Sequence, residues 1–380
     1  MFRKLLIATA VAAAVSTTAH AAAITAGDLV IYRVGTGAAS LSNAATSVYL
    51  DEYTTTGTLV QSIAMPTSVG SVNMLTASGT ATSEGQLTLS ADGKYVVLTG
   101  YNAAAGTAGI AATTSASVAR TVGLVNVSTG AADTSTALNA FSGNNIRSAV
   151  SSNGTDIWVA GATTGIGYTT KGSTTMTTVS STVTNNRQLE IFNGQLYASD
   201  ASGTPRLTTV GTGLPTTTGQ VMTNLPGILN AAPTNSPYSF FMADLSASVA
   251  GLDTLFLADD ASGISKYSLN NGTWTLKGTV GGAADAYRGL TGSVINGNVQ
   301  LFATGNGGTG AAGGGKLVSI TDASGYGGTF SATATTIATA ATNTAFRGVA
   351  LTMPVPEPES YAMLLAGLGL MGFVARRRSK

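Results

Sequence analysis

Between Thr254 and Lys277 the chain reads TLFLADDASGISKYSLNNGTWTLK. Three short runs rich in apolar, β-branched and aromatic residues are separated by two turn signals, Asp-Asp-Ala-Ser-Gly at 259–263 and Asn271-Gly272. Asn and Gly tolerate the positive φ that a tight hairpin demands, so the runs read as antiparallel strands. Residues 239–246 supply one strand more, and four antiparallel strands in about fifty residues make a unit the size of a propeller blade.

The strand–turn–strand pattern recurs along the chain. Copies lie at 86–98 around Asp92-Gly93, at 148–159 around Asn153-Gly154, at 189–197 around Asn193-Gly194 and at 290–302 around Asn296-Gly297. First strands start near 86, 146, 188, 239, 289 and 346. Those intervals suit blades and are too long for the coils of a β-helix. The last first strand, Phe346 to Leu351, has no partners after it, whereas the strands at 29–33, 47–53 and 58–63 lack a first strand. Joining the two removes both open edges. The expected fold is therefore an all-β propeller of about six four-stranded blades over residues 23–354, closed by the strand at 346–352. A sandwich or solenoid is the competing architecture.

Composition narrows the chemistry. Of 380 residues only 9% are charged, 48 are glycine, and there is no cysteine. The single histidine, His20, falls in a leader: Arg3 and Lys4, an apolar stretch from Leu5 to Val15, then Ala19-His20-Ala21, the pattern of a signal peptide over 1–22. A mature chain without His or Cys lacks the commonest general base, thiolate chemistry and the usual zinc or haem ligands, so no metal site and no cofactor are expected.

The other end is tripartite. Pro356-Glu357-Pro358 precedes an apolar run, Tyr361 to Ala375, and then Arg376, Arg377, Arg378 and Lys380. Residues 360–375 would form an apolar helix about 24 Å long, near the thickness of a hydrocarbon core, with the arginines retained on the cytoplasmic side. This tail resembles the PEP-CTERM sorting signal. The resemblance covers residues 355–380. It implies an exosortase-type sorting enzyme as partner, transient anchoring in the inner membrane, and an address in the envelope or extracellular matrix of an exopolysaccharide-producing bacterium. A permanent tail anchor is the simpler alternative. Without leader and tail, 12 basic and 15 acidic residues remain, a net charge of −3. An acidic body with no basic run offers little to nucleic acid.

Several constellations deserve a physical reading. The run Gly305-Asn-Gly-Gly-Thr-Gly310 fits a dinucleotide fingerprint by spelling alone, because Leu317 follows Lys316 where a phosphate loop needs Ser or Thr, and a strand follows where a helix is required. Asp-Ala-Ser-Gly at 200, 260 and 322 is turn chemistry. Trp158, Trp274, Tyr197, Tyr267 and Tyr287 are expected to fill gaps between blades. Arg147, Arg187, Arg288 and Arg347 open four first strands. A radial fold would gather them near one channel mouth, either paired with carboxylates and backbone carbonyls or holding an acidic sugar. Glu190, three residues after Arg187, is the nearest local partner. Glu52, Glu84, Glu190 and the twelve body aspartates are the only acid/base candidates, and no catalytic residue is assigned among them. The expected function is that of an exported, non-catalytic envelope or matrix protein associated with exopolysaccharide. The alternatives are a carboxylate-dependent glycan-acting enzyme and a surface adhesin.

Overall fold

The computed structural model describes residues 21–353 apart from positions 69, 71, 202 and 204. The leader up to residue 20 and the tail from 354 onward, with Pro356, Glu357, Pro358 and Arg376 to Arg378, lie outside the described residues. Among the described residues the only helix is the 3-10 turn Ile110–Ala112.

Four separate antiparallel sheets each contain four strands in sequence order. They are Ile146–Ser151 to Thr177–Ser180, Asn186–Phe192 to Met222–Asn224, Pro237–Ala243 to Thr273–Val280, and Gly289–Ile295 to Thr335–Thr339. A larger sheet joins two further runs. In one, Thr344–Leu351 pairs with Leu29–Val34, which pairs with Ala45–Tyr53, which pairs with Leu59–Ala64. In the other, Thr88–Leu89, Tyr95–Tyr101, Arg120–Asn126 and Ala132–Leu138 follow one another, and the short strand Thr76–Ser78 links the two runs. The body is an all-β, propeller-like assembly of short antiparallel sheets.

The strand Thr344–Leu351 takes the place expected of it. Leu29 lies opposite Leu351 and Val34 opposite Ala345, and all eight residues of Thr344–Leu351 are buried. The pairing continues outward, with Gly27 N–H donating to Thr352 O and Thr352 N–H to Asp28 O, each at 3.0 Å. The two ends of the described chain therefore meet on one face.

The turns divide by chemistry. Asn193-Gly194, Asn271-Gly272 and Asn296-Gly297 hold positive φ at both residues, the two-residue hairpin that the sequence suggests. At 92–93 and 153–154 only the glycine has positive φ. There the Asp92 and Asn153 side chains accept backbone N–H groups two and three residues on, which stabilises a longer loop.

Apolar side chains on alternate strand faces form cores between neighbouring sheets. Trp158 packs with Leu189, Leu196 and Val210 of the following sheet, and Trp274 with Leu207 and Leu225 of the preceding one. Leu29, Ile31 and Phe346 share a core with Phe302 and Leu317, so the last sheet packs on the first strands of the chain. The six first strands neighbour one another in chain order, from Thr88–Leu89 to Thr344–Leu351, and the last lies against the first.

Candidate functional site: two ends of a central space

Neighbouring first strands lie against one another from Thr88–Leu89 to Thr344–Leu351, and side chains from them meet at two places. Arginines at their starts gather at one end. Arg147 donates to Asn185 Oδ1 at 2.5 Å and to Asn186 O at 3.1 Å. Arg347 donates to Gly307 O at 2.8 Å and Gly79 O at 3.1 Å. Both are buried, and burial lowers each guanidinium to about 10, with Arg187 acting further on Arg147 and Arg288 on Arg347. Arg288 makes an ion pair with Asp260 at 2.9 Å. Arg187 lies over the Tyr238 ring, 4.7 Å from its centroid, and Arg288 stands 5.3 Å from the same centroid. All four arginines thus occupy one neighbourhood, bridged by Tyr238. Among the described residues the Arg187 Nε has no hydrogen-bond partner.

Glu84 compensates this cluster from inside. It accepts from Tyr101 at 2.5 Å, from the Ser78 N–H at 3.0 Å and from Asn145. Burial raises its carboxyl above the usual range, against those hydrogen bonds and the charge of Arg347. Below the arginines two glutamines cross the space. Ser239 donates to Gln86 Oε1 at 3.0 Å, while Gln188 donates to Leu87 O at 3.1 Å and to Glu190 Oε1 at 2.8 Å.

The opposite end is chemically different. A cavity of about 200 Å³ is lined by residues of five first strands, among them Leu89, Phe240, Phe241, Leu290 and Val349, and its rim includes Met353. Glu190 is the only ionisable group in that lining. Enclosure by this wall raises its carboxyl to about 8, with the Gln188 hydrogen bond opposing the shift. Glu190 is therefore not the partner of Arg187 that proximity in sequence suggested. Residues three apart on a strand point to opposite sides, and Glu190 follows Gln188 onto the central side.

The remaining motifs are absorbed by the framework. Asp259 accepts from the N–H groups of Ser236 and Ala261, and Asp322 from that of Ser324, as turn residues do. Asp322 also pairs with the fully buried Lys266 at 2.6 Å. In the glycine-rich stretch Lys316 pairs with Asp285 at 2.6 Å and opens the strand Lys316–Asp322. Trp158, Trp274, Tyr267 and Tyr287 are buried, and Tyr197 is half-buried. Glu52 accepts the Thr25 N–H at 2.7 Å and anchors the N-terminal segment. Tyr238, Gln86 and Gln188 escaped notice in the sequence. The signal was available, since each stands beside or in the place of an arginine at a first-strand start.

Against known proteins, the decisive match is at the C-terminus. Residues 354–378 match the PEP-CTERM protein-sorting motif. The chain carries an exosortase-type sorting signal. That signal marks an exported protein directed to the cell envelope or extracellular space. No curated protein matches the chain. Among solved structures, a nidogen/laminin complex is 11% identical, with 86% of this chain and 98% of that chain covered and a TM-score of 0.47. A protein of unknown function from Bacteroides thetaiotaomicron is 10% identical, covering 63% and 59% at a TM-score of 0.39. The computationally designed Ika8 protein is 9% identical, covering 76% and 95% at 0.37.

Proposed function

We propose that this is a non-catalytic protein of the envelope or extracellular matrix, a six-bladed ring closed by the strand at 346–352, that associates with acidic exopolysaccharide. Its tail, with an apolar helix over 360–375, holds it briefly in the inner membrane until an exosortase releases it. The sorting motif supports the destination. The cyclic order of the first strands supports the ring.

One observation carries the partner: four guanidinium groups at one end of the central space, in a body of 9% charge before its ends are removed. Arg147 and Arg347 are committed to backbone and side-chain oxygens inside, so the contact with sugar carboxylates falls to Arg187, beside Tyr238 and Arg288. Guanidinium forks suit carboxylates, and an aromatic ring suits a sugar face.

The test is retention of the mature protein on polygalacturonate and on neutral dextran at low and high salt. Binding should favour the polyuronate, weaken with salt and fall about tenfold in Arg187→Gln, the loss of one charge-assisted contact. Equal retention on both polymers would overturn the reading.

A further inference from the structure

The cavity at the Glu190 end is unused by that function. Its lining side chains are mostly hydrocarbon and aromatic, with Thr88, Ser90 and Thr291 as hydroxyls and polar groups making up nearly half of the exposed wall, and Glu190 stands in it as the only ionisable group. Gln188 donates to Oε1 alone, and Oε2 makes no hydrogen bond among the described residues. The ionisable groups on the neighbouring first strands, Arg147, Arg187, Tyr238, Arg288 and Arg347, stand beyond the glutamines at the other end. Past Ala91 on the rim, Asp92 is already paired with Lys94 at 3.3 Å. Nothing in the wall neutralises a carboxylate here, while the apolar lining offers burial to a hydrocarbon group.

We propose that this cavity binds a small organic cation, an alkyl- or arylammonium whose nitrogen pairs with Glu190 and whose hydrocarbon lies against Phe240, Phe241 and Leu290. The arginine end plays no part, so this site stands or falls independently of polysaccharide binding. Since the empty site holds its carboxyl proton up to about pH 8, an arriving ammonium expels that proton. Affinity should therefore rise about tenfold per pH unit below 8 and level off above it.

The experiment is calorimetric titration of the full mature protein with n-butylammonium between pH 6 and 9, an amine that stays charged across that range. Repeating it at pH 7 in buffers of different protonation enthalpy counts the protons released. The expected result is close to one proton released per ligand, and an affinity about fiftyfold higher at pH 8 than at pH 6. Glu190→Gln, which keeps shape, should bind at least tenfold more weakly at pH 8.5 and lose the pH dependence. The neutral isostere n-butanol should bind wild type weakly at every pH. Butanol binding as tightly as butylammonium, no butylammonium binding at pH 8.5, or pH-independent binding without proton release would each overturn the proposal. The last two readouts need only the wild-type protein, so a poorly folding variant does not spoil the test.

Discussion

Removing the Arg347 guanidinium would leave the carbonyls of Gly79 and Gly307 without their donors in a buried place. Losing charged hydrogen bonds there should cost about 3 kcal/mol, whereas Arg187, whose contact is with the Tyr238 ring, should give up less than about 1 kcal/mol on truncation. Thermal melts of Arg347→Ala and Arg187→Ala check this, and equal losses would refute the distinction. Glu190 yields a pH prediction. Its folded carboxyl keeps a proton that the unfolded chain releases near the ordinary glutamate range, so its stabilising term is whole below that range. The term fades as pH rises towards 8. Discounted for solvent contact, the body should lose about 2 kcal/mol between pH 5 and pH 9, and Glu190→Gln should flatten most of that slope. Unfolding titrations at the two pH values decide it. The arginines could be seen in the sequence because they recur at strand starts. Their partners could not. Asn185, Gly79, Gly307 and Asp260 sit on connections whose folding no local pattern describes, and the side to which Glu190 points depends on strand parity beside an irregular register between Asn186 and Leu189.

The strand Thr344–Leu351 pairs with Leu29–Val34 near the other end of the described residues, and its tightest point is a glycine. A Cβ at Gly348 would fall on the backbone nitrogen of Leu87 and within 2.6 Å of the Gly85 carbonyl oxygen. Gly348→Ala should cost about 3 kcal/mol through backbone displacement. Gly194 offers the control, since its φ of 73° strains any side chain but its surroundings are open. Gly194→Ala should cost about 1 kcal/mol. Denaturant unfolding of the pair separates crowding from backbone strain, and a Gly194 variant as damaged as the Gly348 variant would contradict it. Ending the chain at Thr342 should bare the edge of Leu29–Val34 and produce aggregates visible by light scattering. A monomer with an unchanged melting temperature would show that the edge needs no cover. At this scale much was legible: hairpins announced themselves through Asn-Gly, and the unpaired strands at the two ends pointed to one another. The run near residue 86 was less so. Only Thr88–Leu89 pairs there, because Gly85 and Gln86 carry their hydrogen bonds to neighbouring first strands instead.

Among the described residues the two ends of the first strands differ in charge. Arg120, Arg147, Arg187, Arg206, Arg288 and Arg347 lie towards the end where the first strands begin, with Glu84, Asp200, Asp259, Asp260 and Asp285 among them, whereas Asp28, Glu52, Asp92, Asp156, Glu190 and Asp244 lie towards the end where they finish, with Lys94 and Lys171. Glu357→Ala should leave export intact and block processing, so that a larger, membrane-bound form accumulates on immunoblots. Mature-sized protein at normal yield would count against motif-directed release. The meeting of Thr352 with Gly27 and Asp28 bears on the proposed anchored stage. The described residues begin and end close to one face, and residues 354–360 separate Met353 from the apolar run in the sequence. Seven residues reach no further than about 25 Å. Were the apolar run to sit in the bilayer, as proposed, the body would stand with the Glu190 end towards the lipid headgroups and the arginine end away from them. On that proposal a short leash would hold the arginine end facing away from the bilayer.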